Sequence, residues 1–224
     1  PKRLVREVLY QSDLEAQFDR SLKEAGDDVS ALRELQKWCK ENGLEQESRR
    51  CEFLARLHVT QLHDKNKLAE LRRFAKQHTL EREWVKALPQ IYRARLSMAA
   101  EDHVALYDLS GWCIQNGLSE EAVACRRMAL EREFAFKVSE VAGNAEKLDE
   151  LGRWFGKTRK SQELADKCYD LSYAARKKGA TSPETWWDLV KWCAGPAGRR
   201  GLPAVEEEAA RAVSAFASAK NIKA

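Results

Sequence analysis

Most of the short signatures that assign a chemistry are missing from this 224-residue chain. No stretch approaches eighteen consecutive apolar residues, which excludes a membrane-spanning helix. The six cysteines form no Cys-x-x-Cys, so a structural zinc site has no ligand pair to start from. The four histidines are His58, His63, His78 and His103, and none falls in a His-Glu-x-x-His. His58 and His63 are five apart, off the spacing of four that puts two ligands on one helical face. There is no Gly-x-Ser-x-Gly and no Ser-x-x-Lys constellation. The run Gly195–Gly201 carries Arg199 and Arg200 but lacks the Lys-Ser/Thr ending of a phosphate loop, and reads as a solvent loop. No catalytic residue, cofactor or metal is therefore assigned, and the chain is read as a non-enzyme. Breakers are also scarce, with 11 Gly and 5 Pro, which favours helix over an all-β reading. The chain begins at Pro1 rather than Met, so the expectation is a fragment or processed product whose targeting segment, if any, is out of view.

What is present is a short string that returns five times: apolar-x-x-Leu-x-x-aromatic-small. It reads Leu32, Leu35, Trp38, Cys39; then Leu68, Leu71, Phe74, Ala75; then Leu106, Leu109, Trp112, Cys113. It returns as Leu148, Leu151, Trp154, Phe155 and as Trp186, Leu189, Trp192, Cys193. The aromatics recur at intervals of 36, 38, 42 and 38 residues, a period that signals stacked repeats. Spacing of i, i+3, i+6 and i+7 places the four positions on one helical stripe.

Each string is followed by a stop and a second amphipathic run. Asn42-Gly43 and Asn116-Gly117 end the first helix of their units, because glycine tolerates the left-handed conformation at a helix C-terminus. Glu45, Glu47, Glu120 and Glu121 suit the start of the next helix, with Ser119 expected as its cap. The second unit has Gln77-His78-Thr79-Leu80 where the others have Asn-Gly, and Pro89 is expected to kink its second helix. Ser182-Pro183-Glu184 is a strong helix start. Each unit is thus a hairpin of a short helix A, about twelve residues, and a longer helix B, roughly eighteen to twenty-two. Ahead of the first unit, Leu14, Phe18, Ser21 and Leu22 read as a lone helix ending at Ala25-Gly26-Asp27-Asp28.

Two helices per unit, a late aromatic in helix A, a glycine turn and small residues such as Ala122 and Ala129 in helix B resemble the tetratricopeptide repeat proteins. The units here are longer than the 34 residues of that family, and the Trp-Cys pair departs from its usual helix A. The expected fold is an all-α, right-handed α-solenoid of about five helix-turn-helix repeats with flanking helices. Residues 1–28 form the flanking helix, and repeats lie near 29–64, 65–100, 102–141, 144–179 and 182–224. The resemblance implies a non-catalytic scaffold or adaptor whose helices A line the concave, partner-binding face. Gln36, Lys40, Arg72, Lys76 and Ser110 are polar helix-A residues off the buried stripe that meet this description, with Lys40, Arg72 and Lys76 as a clamp for the carboxylate of an acidic peptide.

Three other features bear on function. Cys39 and Cys51, like Cys113 and Cys125, sit twelve apart and nearly symmetric about a turn. They read either as a disulfide or as small buried residues at a tight helix contact. Ala75 and Phe155 at the equivalent site favour packing, and with it a reducing, cytoplasmic setting. Trp38, Trp112, Trp154 and Trp192 are expected in the core, whereas Trp84 and Trp187 fall off the stripe and are candidates for exposure. Charge runs in blocks of +5, −6 and +6 over residues 51–100, 101–150 and 151–200. That pattern leaves two alternatives to a protein or peptide partner: RNA on the basic ends, or self-association of basic on acidic patches.

Overall fold

The computed structural model describes residues 2–195 together with positions 207, 210, 211 and 214. The second half of the expected fifth repeat, and the loop containing Arg199 and Arg200, lie outside the described residues. The chain is all-α. Ten α-helices are described: α1 (Lys2–Ala25), α2 (Val29–Glu41), α3 (Glu45–Val59), α4 (Lys65–Gln77), α5 (Glu81–Ala99), α6 (His103–Gln115), α7 (Ser119–Glu140), α8 (Ala145–Trp154), α9 (Gln162–Gly179) and α10 (Pro183–Ala194). A π-helical turn, Phe155–Arg159, extends α8 and ends at Lys160 in the left-handed conformation. None of the described helices is long and apolar enough to cross a membrane.

Helix starts follow the sequence closely. Asp28, Asp64, Asp102, Asn144 and Ser182 cap α2, α4, α6, α8 and α10, each side chain accepting from a backbone N–H of the first turn. Each cap stands ten residues ahead of the repeated aromatic, so one local signal fixes both the start and the phase of helix A. Ser182 forms a reciprocal capping box with Thr185, and Pro183 opens α10. Ser119 differs from expectation: it is the first residue of α7, not the cap before it.

Helix A ends in the same way three times. The N–H of Leu44, Leu80 and Leu118 donates to the carbonyl of Cys39, Ala75 and Cys113, at 2.8–2.9 Å. The preceding residue is left-handed: Gly43 at φ 72°, Gly117 at φ 76° and, without the help of a missing Cβ, Thr79 at φ 55°. α5 runs through Pro89 from Glu81 to Ala99.

The chain divides into two compact units, residues 1–129 and 130–224. The first holds a row of three apolar clusters. Leu14 and Phe18 of α1 pack with Leu35 and Cys39 of α2 and Cys51 of α3. Phe53 and Leu57 on α3 then pack with Leu71 and Phe74 of α4 and Trp84, Leu88 and Ile91 of α5. Ala99 of α5 joins Leu106, Leu109 and Cys113 of α6 and Ala122, Cys125 and Ala129 of α7. In the second unit, Leu151, Phe155, Leu164, Ala165 and Cys168 pack under Leu130 and Phe134, and Leu189 and Cys193 pack near Tyr173. Every cluster draws on successive helices, because one hairpin cannot bury its own stripe.

The tryptophans depart from expectation. Trp38, Trp112, Trp154 and Trp192 are half-buried, while the following Cys39, Cys113, Phe155 and Cys193 are fully buried. The i+6 position lies at the edge of the stripe, so its ring has one face in the core and one outside it. Trp84, a candidate for exposure, is instead 3% exposed in the core, and Trp187 is 58% exposed.

Candidate functional site

A groove of about 580 Å³ opens in the first unit between α4 and α6, with α5 as its floor. α4 presents Lys65, Ala69, Arg72 and Lys76, spaced to share one face, while Leu68 and Leu71 are buried in the core. α6 presents Asp108, Gly111 and Gln115 in the same way, with Tyr107 and Trp112 beside them. From α5 come Trp84 and Arg95, three turns apart on one face. Four cations line the groove against one carboxylate, that of Asp108.

These charges are not equivalent. Arg72 donates to both carboxylate oxygens of Glu81, at 2.6 and 2.5 Å, and its guanidinium lies 4.9 Å from the Trp84 ring centroid. Lys65 donates to Asp108 at 2.5 Å. That hydrogen bond holds the Asp108 carboxyl below its ordinary value, as the one from Arg72 does for Glu81. Asp108 is therefore a fixed negative charge at the groove wall.

Arg95 has no such partner. It is only 8% exposed, its guanidinium lies 4.9 Å from the Trp112 ring centroid, and it makes no hydrogen bond or ion pair among the described residues. Burial pushes its pKa down, countered by Cys113 and Asp108 nearby. Lys76 is a second cation with no hydrogen-bonded partner among them. The rim is held by Asn116, which accepts from the Trp84 indole N–H at 3.3 Å and donates to the Trp112 carbonyl at 2.9 Å.

Of the residues expected to bind, Arg72 and Lys76 meet in this groove. Lys40 is exposed on α2 and does not line it, so the three-cation clamp is not assembled. Gln36 lines a different groove, of about 230 Å³, and donates to Glu52 at 3.3 Å. There Glu52 also accepts from Arg49 and twice from Arg56; burial opposes its ionisation, yet these bonds hold its pKa below the ordinary 4.5. Ser110 is buried, and its hydroxyl donates to the Ala122 carbonyl at 2.8 Å. It joins α6 to α7 and does not line the α4–α6 groove. Arg95 lies on α5, a helix B, outside the helix-A residues to which the repeat resemblance points.

The cysteines behave as small buried residues: all six are buried and free. Burial raises the thiol pKa of both Cys39 and Cys51, which act on each other across their hairpin. Among the described residues, no group of three or more His, Cys, Asp or Glu is placed to hold a metal ion. No protein-family model, no curated protein and no solved structure matches the chain.

Proposed function

We propose that the chain is a non-catalytic interaction scaffold of the tetratricopeptide-like kind. Its hairpins stack as a right-handed solenoid, and its helices A hold a protein or peptide partner of acidic character. The observation that carries this reading is the groove between α4 and α6, two successive helices A, with its excess of cations and its unpaired Arg95. Positive grooves with apolar walls concentrate anionic partners and orient them. An RNA surface would need free aromatic faces for stacking. Here Trp84 and Trp112 each have a guanidinium over the ring, which favours a protein partner.

The test is capture of partners from native lysate on the immobilised chain, with and without nuclease, read by mass spectrometry. A stoichiometric protein retained after nuclease supports the scaffold. Recovery that disappears with nuclease moves the function to RNA. Recovery of the chain alone, weakened by salt, moves it to self-association.

A further inference from the structure

Two glycines stand inside described α-helices with no turn to explain them, Gly111 in α6 and Gly152 in α8. Gly152 has a packing reason. A Cβ there would sit 2.8 Å from the Tyr169 ring and 3.2 Å from the Ala165 carbonyl, so only glycine lets α8 and α9 approach. Gly111 has none: a Cβ there would meet nothing within 4 Å. Glycine in a helix interior is less stable than alanine, so position 111 carries a cost that no neighbour in the fold requires. The open space it leaves is the α4–α6 groove.

The same groove holds a second unexplained group. The Arg95 guanidinium is buried and oriented on Trp112, yet it makes no ion pair among the described residues, since the nearby Asp108 carboxylate is bonded to Lys65 instead. A buried charge without a partner is unfavourable, and one at a groove wall can be compensated by a ligand from outside. Gly111 precedes Trp112, so the empty space and the unpaired cation adjoin. The groove volume, about 580 Å³, falls within the range of ligand sites.

We propose that the α4–α6 groove seats an acidic peptide segment, its backbone against Gly111 and a side-chain carboxylate on Arg95 and Lys76. Gly111 is the aperture that admits the peptide, and Arg95 is the residue that selects a carboxylate. Gln115 offers its amide to the peptide backbone at the same wall. This site rests on the scaffold reading and gives its partner a chemistry and a position.

The experiment titrates fluorescein-labelled hexaglutamate, hexalysine and hexauridylate into the full chain by fluorescence anisotropy. The wild type is compared with Gly111→Leu, Arg95→Gln and Lys40→Gln. Hexaglutamate should bind and hexalysine should not. Gly111→Leu should weaken binding by about tenfold or more by filling the aperture, and Arg95→Gln by about tenfold or more through the loss of one charge-assisted contact. Lys40→Gln should leave binding unchanged. Gly111→Leu adds a side chain to open space and a better helix former, so its melting temperature should not fall; loss of binding in a stable variant separates occlusion from unfolding. Absence of hexaglutamate binding to the wild type, equal binding by Gly111→Leu or Arg95→Gln, or preference for hexauridylate overturns the site. A protein captured from lysate that Gly111→Leu still retains leaves the scaffold standing and removes only this groove.

Discussion

The Arg56 guanidinium lies 4.3 Å from the ring centroid of Phe74, one hairpin later in the chain. The relationship returns with Arg95 and Trp112 at 4.9 Å, Lys137 and Trp154 at 4.8 Å, and Arg176 and Trp192 at 5.2 Å. In each case a helix B lends a cation to the aromatic of the next helix A. The cation lies over a ring at the edge of the apolar stripe and is attracted by its face.

The pairs differ in what else the cation does, and mutation separates the roles. Arg176 donates to Asp149 Oδ2 at 2.8 Å, and the same oxygen accepts the Trp192 indole N–H at 2.8 Å. Arg176→Met leaves a buried carboxylate short of its charged partner and should cost about 2 kcal/mol. Arg95→Met removes a buried cation that makes no hydrogen bond or ion pair and keeps an apolar stem, so stability should stay within about 1 kcal/mol of wild type. Urea denaturation of the two variants measures the contrast; equal losses would mean that Arg95 serves stability as Arg176 does.

Thr79 stands where the other two turns have glycine, at φ 55°. A β-branched residue in the left-handed region is strained by about 1–2 kcal/mol. Thr79→Gly should therefore stabilise the chain by about 1 kcal/mol, although glycine loses some of this to greater freedom in the unfolded state. Gly117→Thr should destabilise by a similar amount. Thermal melts of both variants check the sign, and a lower melting temperature for Thr79→Gly would refute the strain.

The parts of the fold that rest on local chemistry were legible in the sequence. The aromatic string and the Asn-Gly stops marked alternating helices, and the Ser182-Pro183 start marked α10, although α3, with 15 residues, is shorter than the expected helix B. The cap at Asp28, Asp64, Asp102 and Asn144, ten residues before each aromatic, was equally visible, but a period search on apolar positions passes over it. What tertiary placement decides was not legible. Ser110 reads as a surface hydroxyl until α7 places the Ala122 carbonyl beside it. Trp84 lies off the helix-A stripe, yet helix B has a buried face of its own. Arg95 becomes notable only when its lack of a partner can be seen. Its spacing of 39 residues from Arg56 was a signal, carried by a polar residue.

Ser110 gives a direct check on that correction. Ser110→Ala leaves the Ala122 carbonyl without its side-chain donor in a buried helix contact, at a cost of about 1 kcal/mol. Hexaglutamate binding should be unchanged in the same variant. A binding defect with full stability would return Ser110 to the ligand surface.

Glu52 gathers Gln36, Arg49 and Arg56, and its pKa is depressed in the folded chain. A depressed carboxylate contributes its stability above the unfolded value and loses it as pH falls through the folded one. The stability gap between wild type and Glu52→Gln should therefore be full at neutral pH and close as the pH drops below about 4, since every other carboxylate is common to both proteins. A gap that stays constant with pH would show that Glu52 acts through packing alone.

Burial pushes the thiols of Cys39 and Cys168 up to about 11, and those of Cys51 and Cys113 up to about 12. The thiolate is the nucleophile, so at pH 8 these cysteines present well under one per cent of their reactive form, behind a packed core. A thiol-exchange reagent such as dithionitrobenzoate should react slowly with the native chain, at the rate of local opening. All six should titrate promptly once guanidinium unfolds it without reductant. Finding four would mean that one pair, Cys39 with Cys51 or Cys113 with Cys125, had closed across its hairpin. The hairpin would then be held by a covalent bond where the structure has two small buried thiols.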